Sequence, residues 1–157
     1  MRRWVAAGVV FAVLGWVSAC GAAGPADLSE AQRPRLQARA VARAWQEWAS
    51  SQTPVCASSE ISADLRAALS DLFPAEIEYL DQQELEEMNT EGYRCVVVAV
   101  SVGAVRELSA DLVGVDAGAV VGFLNGGGTT YLFRWDGSRW VDATPQDTGV
   151  TVTSWVT

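Results

Sequence analysis

Cys20, Cys56 and Cys95 carry the most distinctive chemistry in this 157-residue chain. A thiol can serve as nucleophile, metal ligand, disulfide half or lipid acceptor, and its surroundings decide among these roles. The chain contains 11 basic residues, all arginine, against 19 acids, with no histidine and no lysine. That excludes a Ser-His or Cys-His pair, an imidazole metal ligand, a Schiff-base amine and a phosphate-loop lysine. Zinc would need soft ligands beyond two cysteines, and no histidine supplies them. A redox pair usually sits in C-x-x-C, a spacing these cysteines lack. Serine offers no substitute: there is no G-x-S-x-G, and Ser18, Ser101 and Ser138 lie in leader, strand and turn contexts. No catalytic residue, metal or cofactor is assigned.

The position of Cys20 gives it a role. Arg2 and Arg3 precede an uncharged run from Trp4 to Ala19, the layout of an export signal. The run ends in Val17-Ser18-Ala19-Cys20, which resembles the lipobox of bacterial lipoproteins. The arginine-for-lysine bias suggests a GC-rich, actinobacterial type. The resemblance implies cleavage behind Ala19, a diacylglyceryl thioether with palmitate-class chains on Cys20, and residence on the extracytoplasmic face of the cell membrane. An uncleaved helix anchor is the alternative, because residues 4–26 carry no charge. Against it, Gly21-Ala22-Ala23-Gly24-Pro25 reads as a tether. With Cys20 acylated, Cys56 and Cys95 remain as an even pair in an oxidising compartment. A structural disulfide between them would close a loop of about 40 residues, worth roughly 4 kcal/mol on the chain-entropy model.

Charge narrows the partners further. The net charge of −8 argues against nucleic acid, which demands a basic face. Glu76, Glu78, Asp81, Glu84, Glu86, Glu87 and Glu91 form an acidic run without the alternating oxygen ligands and glycine of a calcium loop. It reads as a solvated face. Arg35, Arg39, Arg43 and Glu47 make an i+4 row that also reads as solvated, with a patch for an acidic partner or lipid headgroups as the alternative.

The elements that position these groups follow from periodicity. Leu36, Ala40, Val41, Ala44, Trp45 and Trp48 predict a helix over 31–49. Ser50 to Pro54 breaks it, and a second helix runs from about Ser59 to Phe73, with Ile61, Leu65, Ala68, Leu69 and Leu72 as core packing rather than a site. Residues 75–91 fit strand or helix. Strands are expected over 93–102, over 111–124 with a break at Asp116-Ala117-Gly118, over 129–135, over 139–143, and from Val150 onwards. Asn125-Gly126-Gly127-Gly128 reads as a turn, and Asp136-Gly137 as a hairpin that pairs Trp135 with Trp140.

The result is an α+β fold: N-terminal helices on a curved antiparallel sheet of four to five strands. Residues 1–19 form the signal, 20–27 the tether and 28–157 one domain. With its element order and the hairpin Asp136-Gly137-Ser138-Arg139-Trp140, the domain resembles nuclear-transport-factor-two-like and cystatin-like cones. That resemblance implies a ligand cup, for which Trp45, Trp48, Tyr79, Tyr93, Trp135 and Trp140 are candidates. The leading expectation is a non-catalytic binding or accessory lipoprotein for a protein, lipid or envelope ligand. The alternatives are an isomerase- or hydratase-like enzyme using Glu78 or Asp111 beside Tyr79 or Tyr93, and a structural envelope protein.

Overall fold

The structure, a computed structural model, describes residues 28–49, 54–73, 76–84, 87, 97–121 and 125–156. The first helix, α1, spans Gln32–Ala44 and runs on into a π-helical turn, Trp45–Ala49. Pro34 lies in its first turn, where a missing N–H costs nothing. Leu36, Ala40, Val41, Ala44 and Trp45 are buried as their spacing predicts, and so are Ala38 and Ala49. The extra burial arises because α1 is covered twice, by the sheet on one side and by the second helix on the other. Alanine at these positions lets both neighbours approach closely.

The second helix, α2, spans Ala63–Leu72 and starts at Ser62, whose hydroxyl accepts from the Leu65 N–H at 3.2 Å. Leu65, Ala68 and Leu69 pack with Val41 of α1 and Trp45 of the π-helical turn. Leu72, expected in the core, is 44% exposed. Among the described residues no helix is long and apolar enough to cross a membrane.

The fold is α+β with helices on an antiparallel sheet of five strands, as expected, extended by two parallel strands that the sequence does not announce. Val55–Ser58 forms a strand, β1, where the sequence suggests only a break between helices. After α2, Ile77–Leu80 forms β2, parallel to β1, with Cys56 beside Glu78 and Ser58 beside Leu80. The β1–α2–β2 segment is thus a crossover unit, which parallel pairing requires. The ambiguous stretch after residue 75 is strand first and helical turn second. Reciprocal bonds begin that turn: the Asp81 N–H donates to Glu84 at 3.0 Å, and the Glu84 N–H to Asp81 at 2.8 Å.

Antiparallel strands make up the rest: β3 Val97–Ser109, β4 Leu112–Val121, β5 Asn125–Trp135 and β6 Trp140–Ala143. A short helix, α3, Pro145–Thr148, leads to β7, Ser154–Val156. The order is β2-β1-β3-β4-β5-β6, with β7 also paired to β5. β3 continues well past Val102, and β4 is unbroken at Asp116–Gly118. The final strand is shorter than its alternation suggests. Val150 and Val152 instead cover Leu112, Leu132 and Ala143 on the sheet face away from the helices.

Asn125–Gly128, expected as a turn, opens β5, with Gly118 opposite Gly128 and Ala119 opposite Gly127. Two indoles explain these glycines. A Cβ on Gly127 would lie 2.4 Å from the Trp48 ring, and one on Gly128 2.6 Å from Trp155 Nε1. Successive strand residues face opposite ways, so one tryptophan presses on each side of the strand. The hairpin turn agrees with expectation: Gly137 has φ +102°, and the Asp136 N–H donates to the Arg139 carbonyl at 3.0 Å. The Asp136 carboxylate accepts from the Arg139 and Ser138 N–H groups and the Ser138 hydroxyl, which together hold its pKa down at about 2.

The substitution Gly127→Ala should destabilise the protein by about 1–3 kcal/mol through overpacking against Trp48. Urea unfolding measures this, and an unchanged midpoint would mean that Trp48 does not press on the strand.

Candidate functional site

The row Arg35, Arg39, Arg43, Glu47 is a solvated face only at its ends: Arg35 and Glu47 are exposed, and Arg39 and Arg43 are half-buried. It lies along β5. The Arg39 guanidinium sits 4.8 Å from the centre of the Phe133 ring, and that of Arg43 4.8 Å from the Tyr131 ring. The Tyr131 hydroxyl then donates to Glu47 at 2.9 Å. Four helical residues advance about 6 Å and two strand residues about 6.8 Å, so an i+4 row on a helix matches an i+2 row on a strand. Arg39 also donates to the Trp140 carbonyl at 2.7 Å and forms an ion pair with Asp142, joining α1 to β6. Burial, reinforced by the Glu47 hydrogen bond and charge, pushes the Tyr131 hydroxyl well above its ordinary pKa. At neutral pH this phenol can donate a hydrogen bond but cannot serve as a base.

At the N-terminal end of this row a groove of about 620 Å³ opens between α1, the end of α2 and the β5–β6 hairpin. That volume suits a small organic ligand or a short segment of a larger one. Leu36, Ala68, Leu72, Trp135, Trp140 and Val141 provide its apolar lining, and Gln32, Arg35, Arg39, Asp71, Ser138, Arg139 and Asp142 its polar one. The two indoles meet edge to face, with centroids 5.6 Å apart. Trp140 is only 7% exposed, and its Nε1 donor has no acceptor among the described residues.

Of the expected pocket aromatics that lie among the described residues, the structure brings together Trp135 and Trp140. Trp45 is buried between the helices, 5.2 Å from the Phe73 ring. Trp48 lies against Gly127. Tyr79 sits on β2 beneath Arg66, which is 4.4 Å from its ring centre. Tyr93 falls outside the described residues, as do Cys20 and Cys95. Cys56 is fully buried in β1, its sulfur engaged in a disulfide. The carboxylates considered for general-base chemistry are exposed and apart. Glu78 is on β2 at one sheet edge, and Asp111 lies in the β3–β4 turn, accepting from Ser109 at 2.7 Å. Neither lines the groove. Among the described residues no cluster of three or more acids and cysteines could hold a metal.

Several groove residues are not evident from sequence. Leu72 and Asp71 belong to a helix whose spacing reads as core packing, and Arg139 to a hairpin turn. The i+4 arginine row was the available signal, since Arg35 and Arg39 are its first members. No family model, curated protein or solved structure matches this chain. The lipoprotein and cone-domain resemblances therefore rest on the residues quoted for them.

The Tyr131 environment predicts a pH dependence. Because folding raises this pKa above the unfolded value of about 10, the associated stability is complete below that pH and is lost as pH climbs further. Denaturant unfolding between pH 8 and pH 11 should show a decline that Tyr131→Phe reduces. Equal slopes for both proteins would contradict the burial assigned to this hydroxyl.

Proposed function

We propose that this protein is a non-catalytic binding module, tethered by a lipid on Cys20 to the extracytoplasmic face of the cell membrane. The groove between α1, α2 and the β5–β6 hairpin is its ligand site. The groove is the observation that carries this reading: an apolar lining with two indoles, rimmed by arginines, at a volume suited to a ligand. The basic leader and the Val17-Ser18-Ala19-Cys20 box support the anchor. Multiple acyl chains would hold the domain firmly, whereas one chain binds only marginally.

An exported location also favours a bridge between Cys56 and Cys95. The burial of Cys56 supports that pairing. So does the pairing of Val55 with Val97, since Val55 adjoins Cys56 and Val97 is two residues beyond Cys95.

Two experiments test the proposal. Cys20→Ser should abolish acylation and leave the chain out of the detergent phase, whereas an uncleaved variant fully retained in membranes would refute the anchor. For the groove, native mass spectrometry of full-length protein extracted from membranes should reveal a bound species. Leu72→Glu should lose it without unfolding, because Leu72 is already half-exposed. Identical spectra with no bound species in either protein would remove the groove as a ligand site.

A further inference from the structure

The arginines of the described chain divide sharply by what they touch. Arg33 pairs with Glu107 at 2.9 Å, and Arg106 with Asp116 at 2.8 Å. Arg39 is held by Asp142, the Trp140 carbonyl and the Phe133 ring, and Arg43 by the Tyr131 ring. Arg66 donates to the Ser59 carbonyl at 2.9 Å and covers Tyr79, while Arg134 donates to the Asp147 carbonyl at 3.0 Å. Two guanidiniums are left. Arg35 has no side-chain partner among the described residues. Arg139 has only Asp136 at 3.6 Å, its side chain 79% exposed, and that carboxylate already accepts from three closer donors. Both line the groove.

In a chain of net charge −8, two weakly held cations of the described surface thus flank this apolar groove. Asp142 is neutralised by Arg39, so Asp71 is the remaining carboxylate in the lining itself, with Asp136 just outside it, 3.6 Å from Arg139. The same lining holds Leu36, Leu72, Trp135 and Val141, which can accept a chain but not a second charge. Gln32, also in the lining, is twelve residues beyond Cys20, a reach of at most roughly 40 Å. An acylated Cys20 would therefore keep the groove close to the bilayer surface.

We infer that the groove takes an amphiphilic organic anion, a single-chain lipid acid, with its head on Arg35 and Arg139 and its chain along Leu72 and Trp135. This rests on the groove being a ligand site and goes further, to the chemical class of the ligand. The attraction is local, because exposed charges are screened beyond about 8–10 Å at physiological salt. The acidity of the rest of the chain therefore does not repel the head.

Isothermal titration calorimetry of the Cys20→Ser protein with octanoate, decanoate, octanamide and inorganic phosphate tests the inference. Octanoate should bind at least tenfold more tightly than octanamide, and two further methylenes should tighten decanoate roughly another tenfold. Inorganic phosphate should bind weakly or not at all. Arg35→Gln/Arg139→Gln should weaken both acids tenfold or more without moving the melting temperature, and Asp71→Asn should tighten them. If octanamide matches octanoate and the arginine variant changes nothing, the anionic assignment fails while the groove remains an apolar site. If phosphate equals decanoate, the groove reads charge alone and the amphiphile is excluded. Silence from all four compounds, with no ligand retained from membranes, would overturn the groove as a binding site altogether.

Discussion

The register between α1 and β5 is the constraint on which the rest of the molecule depends. Arg39 over Phe133 and Arg43 over Tyr131 set where the helix sits along the strand, and the Tyr131–Glu47 bond closes the row. A cation over a partly desolvated ring contributes on the order of 1 kcal/mol, and its geometry is specific. Shifting the helix by one turn would break both stacks together with the Arg39–Asp142 pair. The same register places Trp48 above Gly127 and puts Arg35 and Leu36 at the mouth of the groove. Helix position and groove shape are thus consequences of one row of contacts.

The glycine run is the counterpart of that constraint. Gly127 and Gly128 carry no side chains because Trp48 lies on one side and Trp155 on the other, and Gly126 is held against the β4 backbone at Ala119 and Val120. Glycine weakens a strand intrinsically, and here the packed indoles offset that cost. Trp155 is 39% exposed, and its side chain spans Gly118 and Gly128 across neighbouring strands. The tail thereby joins the sheet through one ring and a short paired segment. Val150 and Val152, packed on Leu132, secure the rest.

What could be read from sequence was set by local chemistry. The helices announce themselves through 3.6-residue spacing and Ser62 as a cap, and the hairpin through Asp136-Gly137 with flanking tryptophans. The fold class follows from that order. The sequence hides what depends on distant partners. β1 is short, and its strand character comes from pairing with β2 and β3. The Asn125–Gly128 segment has turn composition, yet tertiary packing makes it a strand. The arginine row has the look of a solvated face, because nothing local reveals that Phe133 and Tyr131 lie beneath it. For the site, the Trp135–Trp140 pair was legible and the groove around it was not. Its walls come from α1, α2 and a hairpin more than sixty residues further along the chain.

The arginine row is energetically coupled to the β5 aromatics rather than merely lying beside them. A double-mutant cycle on Arg43→Met and Tyr131→Leu, read by urea unfolding at neutral pH, measures that coupling directly. A favourable coupling of about 0.5–2 kcal/mol is expected. Additive single-mutant effects, with no coupling beyond error, would contradict it.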